Sequence, residues 1–165
     1  MPPLLNKLLL IFSIGVGATL VMDAWLMLLQ RFGVATLNFA YVGRWVGHIF
    51  RGQFRHKAIA KSAPVQDELA LGWLMHYATG IAFAGVLIGV QGMEWALQPT
   101  WLPALAMGVL TVLIPLLIIQ PAMGSGIASS KTATPLKNCL KSLVTHSVFG
   151  LGLYLALKLA AWLIA

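Results

Sequence analysis

The feature that most constrains the fold is a run of apolar and small residues at 69–91, LALGWLMHYATGIAFAGVLIGVQ. As a helix, this run is long enough to cross the hydrocarbon layer of a membrane, which is about 30 Å thick. The run nevertheless contains an ionisable side chain, His76, roughly two helical turns after its start. Because such a group is costly inside a membrane, we expect His76 to have a polar partner there.

Three further runs have the same character, at about 4–30, 101–120 and 140–164. The chain is 59% hydrophobic and only 9% charged, whereas soluble proteins carry about 25% charged residues. A water-soluble fold could not bury this much apolar surface. The sequence therefore predicts an all-α integral membrane protein with four transmembrane helices, forming a single membrane domain over residues 1–165.

The connection 31–68 is basic, and its middle part has a helical pattern. Apolar residues recur at three- and four-residue steps, and four basic side chains fall mostly on the opposite face: Arg44, His48, Arg51 and Arg55. This pattern predicts an amphipathic interfacial helix between the first and second spans. Its basic face is either a membrane-skimming anchor or a binding site for phosphate or lipid headgroups, with those four residues as candidates. We expect His48 and His56 to be solvated.

The distribution of charge predicts the orientation of the chain. Nine of the eleven Lys and Arg residues lie in 31–68 and 121–142, which makes 31–68 and 121–139 the cytoplasmic loops by the positive-inside rule. Both termini are then extracytoplasmic. The net charge of +7 belongs to these loops, so we expect anionic lipid headgroups as partners and no nucleic acid.

Three ionisable residues from three predicted helices fall at one depth. Asp23, His76 and His146 each lie roughly 8 to 12 Å below the predicted cytoplasmic edge, counting about 1.5 Å per helical residue. Groups that are expensive in lipid can offset one another's cost when they meet. We therefore predict a buried polar cluster of these three residues with Thr19 and Tyr77.

This cluster has several interpretations. It can be a structural network that fixes helix register, or a proton- or ion-responsive site in a small transport or permeability protein. Asp23, His76 and His146 are also candidate ligands of a transition metal, and the two histidines of a haem, in a membrane redox protein. A structural or assembly subunit is a further alternative. Hydrolytic catalysis lacks a convincing nucleophile, so the sequence does not point to an enzyme.

The sequence leaves the solute and the oligomeric state open. Gly85 and Gly89 form a G-x-x-x-G pattern on the second predicted helix. Such a pattern can bring two helices together either within one chain or in a homo-oligomer. Cys139 is the only cysteine, which excludes an intramolecular disulfide.

Short strings along nearly the whole chain resemble a bacterial membrane family, catalogued as domain of unknown function 2938. The strings are GVGAT at 15–19 followed by Asp23, GRW at 43–45, RGxFRH at 51–56, GWxxHY at 72–77, QPAxGxGIA at 120–128 and FGLGLY at 149–154, where x marks any residue. The resemblance implies a bacterial inner-membrane protein. It implies no activity, cofactor or catalytic residue, because the family has no assigned function.

Overall fold

The computed structural model describes residues 3–164, and within them every regular element is helical. Four segments are long and apolar enough to cross a membrane: Leu4–Arg31, Glu68–Gln91, Trp101–Met123 and Pro135–Leu163. A separate helix, Phe39–Ile49, lies between the first and second of these segments. The predicted fold class is therefore confirmed.

The helices in chain order are α1 to α7, with shorter turns between some of them. Their bounds are α1 Pro3–Arg31, α2 Phe39–Ile49, α3 Glu68–Gln91, α4 Met93–Leu97, α5 Trp101–Thr111, α6 Gln120–Met123 and α7 Pro135–Ile164. A π-helical turn, Pro115–Ile119, lies between α5 and α6 in the third apolar segment. Proline there lacks the backbone N–H that a regular α-helix would use, which favours a local change of helical pitch.

The contacts between residues divide the chain into two compact units. The first contains the described parts of 1–34, 77–111 and 145–165, and the second contains 35–76 and 112–144. In the first unit, ten buried apolar residues form a continuous core: Ile14, Ala18, Ala84, Leu87, Ile88, Ala96, Ala104, Phe149, Leu153 and Leu157.

Small residues bring the helices of the first unit close together. A side chain added at Gly108 on α5 would lie 2.6 Å from Gly150 Cα on α7, and one added at Gly152 would lie 3.0 Å from Ala18 Cα on α1. Because apolar side chains gain little by leaving lipid for a protein interior, close backbone packing of this kind is a main source of helix association in membranes.

The outer surface of the long helices is apolar, as lipid contact requires. Leu20 on α1 is 54% exposed, Leu110 on α5 is 60% exposed and Leu151 on α7 is 48% exposed. In a water-soluble monomer, so many exposed large side chains would form an aggregation-prone surface. On four helices of membrane-spanning length, the same side chains are suited to contact with lipid chains.

In the second unit, α2 crosses the first turns of α3 at two glycines. A Cβ atom at Gly43 would overlap the Glu68 carbonyl oxygen, and one at Gly72 would overlap the Phe39 carbonyl oxygen. The N-terminus of α2 is capped by Asn38, whose side-chain oxygen accepts a hydrogen bond from the Ala40 N–H at 3.0 Å. The crossing therefore depends on the absence of side chains at both glycines.

The orientation of α2 differs from the simplest amphipathic prediction. Gly43, Arg44, Gly47 and His48 are all buried, although the sequence placed the two polar members of this set on a basic, accessible face. The reason is that the connection after α2 folds back over this face. Helical periodicity correctly identified which residues share a face, but it could not show that other residues of the chain cover it.

Candidate functional site

Asp23 is a buried acid in the second half of an apolar helix. It lies on α1 and is 8% exposed, and its Oδ2 accepts a hydrogen bond of 2.8 Å from the Tyr77 hydroxyl on α3. Burying a carboxylate among apolar side chains is expensive unless hydrogen bonds compensate. The structure therefore brings together two members of the predicted polar cluster and links them directly.

Thr19 lies one turn before Asp23, and its hydroxyl donates a hydrogen bond within its own helix. The hydroxyl donates to the Gly15 carbonyl at 2.8 Å, and Thr19 is 1% exposed. The Thr19 side chain also packs directly against Gly80 of α3. Any larger residue at position 80 would place its Cβ in overlap with Thr19 Oγ1. Thr19 thus contributes close packing between α1 and α3 one turn from Asp23.

His146 has a polar partner on α5. Its Nδ1 lies 2.9 Å from Thr111 Oγ1, and that hydroxyl donates to the Gly108 carbonyl at 2.6 Å. These contacts link His146 of α7 to α5 inside the first unit.

His76 packs near two aromatic rings in the second unit. Its ring centroid lies 4.5 Å from that of Phe39 and 5.8 Å from that of Trp73. The predicted convergence of Asp23, His76 and His146 stays a prediction. Within residues 3–164, no three His, Cys, Asp or Glu side chains are arranged as a group that could hold a metal ion.

Arg44 is the centre of a second buried polar group. Its Nε donates to Glu68 Oε2 at 2.8 Å and its Nη2 donates to Glu68 Oε1 at 2.7 Å, a two-pronged ion pair between α2 and α3. Its Nη1 lies within 3.3 Å of the carbonyl oxygens of Ile59, Ala60 and Ser62. The hydrogen bonds to Glu68 raise the pKa of Arg44 above its ordinary value, so the guanidinium remains charged.

Glu68 was not among the predicted site residues, although it completes this group. Besides Arg44, its Oε2 accepts from the Val65 N–H at 3.1 Å, and it occupies the first turn of α3, where negative charge is favoured. The chain has only four acidic residues. An acid at the end of a connection with six basic residues was the available signal for an ion pair.

Arg44 and His48 do not form an accessible basic face. Arg44 is 9% exposed and His48 is 6% exposed. The His48 ring lies 2.9 Å from both the Gln53 side-chain oxygen and the Ala63 carbonyl oxygen. For these two residues the headgroup hypothesis is corrected, because their polar atoms contact the protein itself. Arg51 and Arg55 are exposed, and headgroup binding by these two residues stays a prediction.

His56 is also buried, at 7% exposed, so the expectation that it is solvated is wrong. Its Nδ1 lies 2.9 Å from Ser62 Oγ, its Nε2 is buried without a hydrogen-bond partner, and its ring meets that of His48 edge-on at 4.9 Å. Burial, followed by the neighbouring His48, holds the pKa of His56 below its ordinary value. His56 is therefore neutral near pH 7.

An apolar groove of about 300 Å³ lies beside His56. Its walls include Trp45, Phe54, Arg55, Leu117, Ile118 and Pro121. The connection is fixed to the end of the third apolar segment by a hydrogen bond of 2.8 Å from the His56 N–H to the Ala122 carbonyl. No pattern in the sequence pointed to the groove, because its two sides are about sixty residues apart in the chain.

Comparison with known proteins identifies a family. Neither the curated proteins nor the solved structures contain a match to this chain. A family model described as "Protein of unknown function (DUF2938)" matches residues 12–160, which include Asp23, the Arg44–Glu68 pair and the groove. The resemblance found in the short strings is confirmed, and the chain belongs to this family.

Proposed function

We propose that the protein is a small membrane permeability or transport protein that responds to protons, and that Asp23 is its proton-binding group. The observation that carries this proposal is the hydrogen bond of 2.8 Å between the Tyr77 hydroxyl and Asp23, which is 8% exposed on a helix of membrane-spanning length. Ionisable groups inside membrane-spanning segments are rare and mark substrate, proton or ion pathways, which makes Asp23 a candidate for such a role.

The chemistry of the pair suits proton exchange. A carboxylate oxygen can accept a proton, and the phenol that contacts it can both donate and accept one. Asp23 lies eight residues before Arg31, the last residue of α1, or roughly 12 Å along the helix axis. A proton that enters from the side of Arg31 would reach Asp23 before crossing half of a layer about 30 Å thick.

Proton flux through reconstituted vesicles tests the proposal. A potassium gradient with valinomycin drives protons into vesicles that contain a pH-sensitive dye, and the initial rate of acidification is measured. We expect wild-type vesicles to acidify faster than protein-free vesicles and Asp23→Asn to return the rate to the protein-free value. Tyr77→Phe should retain part of the flux, because it removes the hydroxyl but leaves the carboxylate.

The matched control is Asp67→Asn. Asp67 is exposed and has a positive φ of 54°, a conformation that asparagine adopts as readily as aspartate. The substitution therefore makes the same chemical change outside the buried pair, and flux should stay at the wild-type rate. Wild-type vesicles that acidify no faster than protein-free ones, or an Asp23→Asn variant that conducts like the wild type, would refute the proposal.

We also propose that the protein resides in a bacterial inner membrane, with both termini outside the cytoplasm. The basic residues of the two connections support this orientation. Alkaline phosphatase fused after the last residue should be active, whereas green fluorescent protein fused there should be dark. The reverse should hold for fusions placed after Lys131. A fluorescent fusion at the C-terminus would contradict the proposed orientation.

A further inference from the structure

The groove beside His56 has one side from a membrane-spanning segment and one side from the basic connection. Leu117 and Ile118, which are 52% and 57% exposed, belong to the segment Trp101–Met123. Phe54 and Arg55 belong to the connection. The groove therefore lies where an apolar surface suited to lipid chains meets a charged surface suited to headgroups.

Two local features give the groove its shape. The π-helical turn Pro115–Ile119 includes both Leu117 and Ile118, and π-helical turns of this kind are frequent at binding sites. Opposite it, the Trp45 indole N–H donates to the Phe54 carbonyl at 3.0 Å, which fixes the aromatic wall. The groove is thus formed by restrained elements, and its ligand would find it largely preformed.

The part of the connection that contributes Phe54 and Arg55 to the groove is basic. Arg51, Arg55, Lys57 and Lys61 are all exposed, and residues 51–61 contain no acidic residue. Two acids follow: Asp67, which is exposed, and Glu68, which is already paired with Arg44. Among the groove-lining side chains named above, Arg55 is the one that carries a charge. An occupant should therefore combine an apolar part with a negative group.

We infer that the groove binds one anionic phospholipid, with an acyl chain against Leu117, Ile118 and Phe54 and the phosphate on the Arg55 guanidinium. Charge complementarity selects this occupant, since a guanidinium binds phosphate through charge-assisted hydrogen bonds. The apolar walls continue from a membrane-spanning segment, so the acyl chain needs no path through water. This inference does not depend on proton flux.

Native mass spectrometry of the purified protein tests the inference with two lipids of identical chains, palmitoyl-oleoyl phosphatidylglycerol and phosphatidylcholine. We expect one bound phosphatidylglycerol, retained about tenfold more strongly than phosphatidylcholine, because the choline ammonium cancels the charge of its neighbouring phosphate, whereas phosphatidylglycerol keeps a net negative charge. Arg55→Gln should abolish this preference. Ile118→Trp should weaken binding of both lipids by filling the groove.

Matched variants distinguish lipid binding in the groove from nonspecific lipid binding that follows the charge or hydrophobicity of the protein surface. Arg51→Gln removes an exposed cation four residues earlier, and Leu110→Trp adds an indole at a side chain that is 60% exposed outside the groove. Both should bind lipid like the wild type. Equal retention of the two lipids overturns the inference, and so does a loss in Arg51→Gln equal to that in Arg55→Gln. Glycerophosphoglycerol, which has no acyl chains, should compete poorly; competition equal to that of the whole lipid also overturns it.

Discussion

Replacing Arg44 with Met should lower the free energy of unfolding by about 3–5 kcal/mol, the usual cost of leaving one partner of a buried ion pair alone. The side chains of Arg44 and Glu68 are only 10% and 18% exposed, so water can solvate little of the remaining carboxylate. The substitution also removes the donor that three carbonyl groups of the connection share. For a chain of this size, the loss corresponds to a fall of roughly 6–20 °C in Tm.

Thermal unfolding in detergent, followed by tryptophan fluorescence, measures this effect. Arg51→Met is the control, because Arg51 is exposed and surface substitutions usually change the free energy of unfolding by less than about 0.5 kcal/mol. The double variant Arg44→Met with Glu68→Leu should be more stable than Arg44→Met alone, since it removes the uncompensated charge. Equal Tm values for Arg44→Met and Arg51→Met would show that the pair does not hold α2 on α3.

Replacing Gly43 with Ala should cost about 3 kcal/mol or more, at the upper end of the range for overpacking. The new methyl group would overlap the Glu68 carbonyl oxygen and lie 2.6 Å from the Gly72 nitrogen. Both obstacles are backbone atoms, which cannot move aside by rotating a side chain. Helix α2 would have to separate from α3, and the Arg44–Glu68 bonds between these helices would lengthen.

Gly89→Ala is the same chemical change, but we expect it to raise the stability of the protein instead of lowering it. Gly89 lies inside α3, is exposed and has no atom within 4 Å of an added Cβ. Alanine there should stabilise the helix by about 0.5–1 kcal/mol through its higher helical propensity. The same thermal unfolding assay compares the two variants. Equal unfolding temperatures for Gly43→Ala and Gly89→Ala would contradict the close backbone contact between α2 and α3 at Gly43.

The long helices were predictable from the sequence because their apolar runs are continuous. The second run was predicted at 69–91 and forms Glu68–Gln91. The fourth was predicted to begin at 140, but α7 begins at Pro135. Proline is favoured in the first turn of a helix, where its missing N–H costs nothing, and polar residues such as Lys137 fit a helix end outside the apolar layer. Hydrophobicity alone identifies the apolar layer and not the end of the helix.

The candidate site was predictable only in part. A buried Asp23 could be expected from its position in an apolar run, and the structure supplies Tyr77 as its partner. The burial of Arg44, His48 and His56 could not be predicted, because it depends on contacts between α2, the connection and α3. Local sequence patterns do not indicate such contacts. The same holds for the groove, whose walls come from distant parts of the chain. Periodicity gives the faces of a helix, whereas tertiary contacts decide which face is covered.

The central claim is that protons cross through Asp23, and chemical modification of that carboxyl group tests it most directly. Dicyclohexylcarbodiimide, an apolar reagent, forms an acylurea adduct with a protonated carboxyl group, and the chain has only four acidic residues at which an adduct could form. In reconstituted vesicles, mass spectrometry of peptides would locate the adduct while the dye reports acidification. We predict that flux falls in proportion to the fraction of Asp23 modified. Complete modification of Asp23 with an unchanged rate of acidification would contradict the claim.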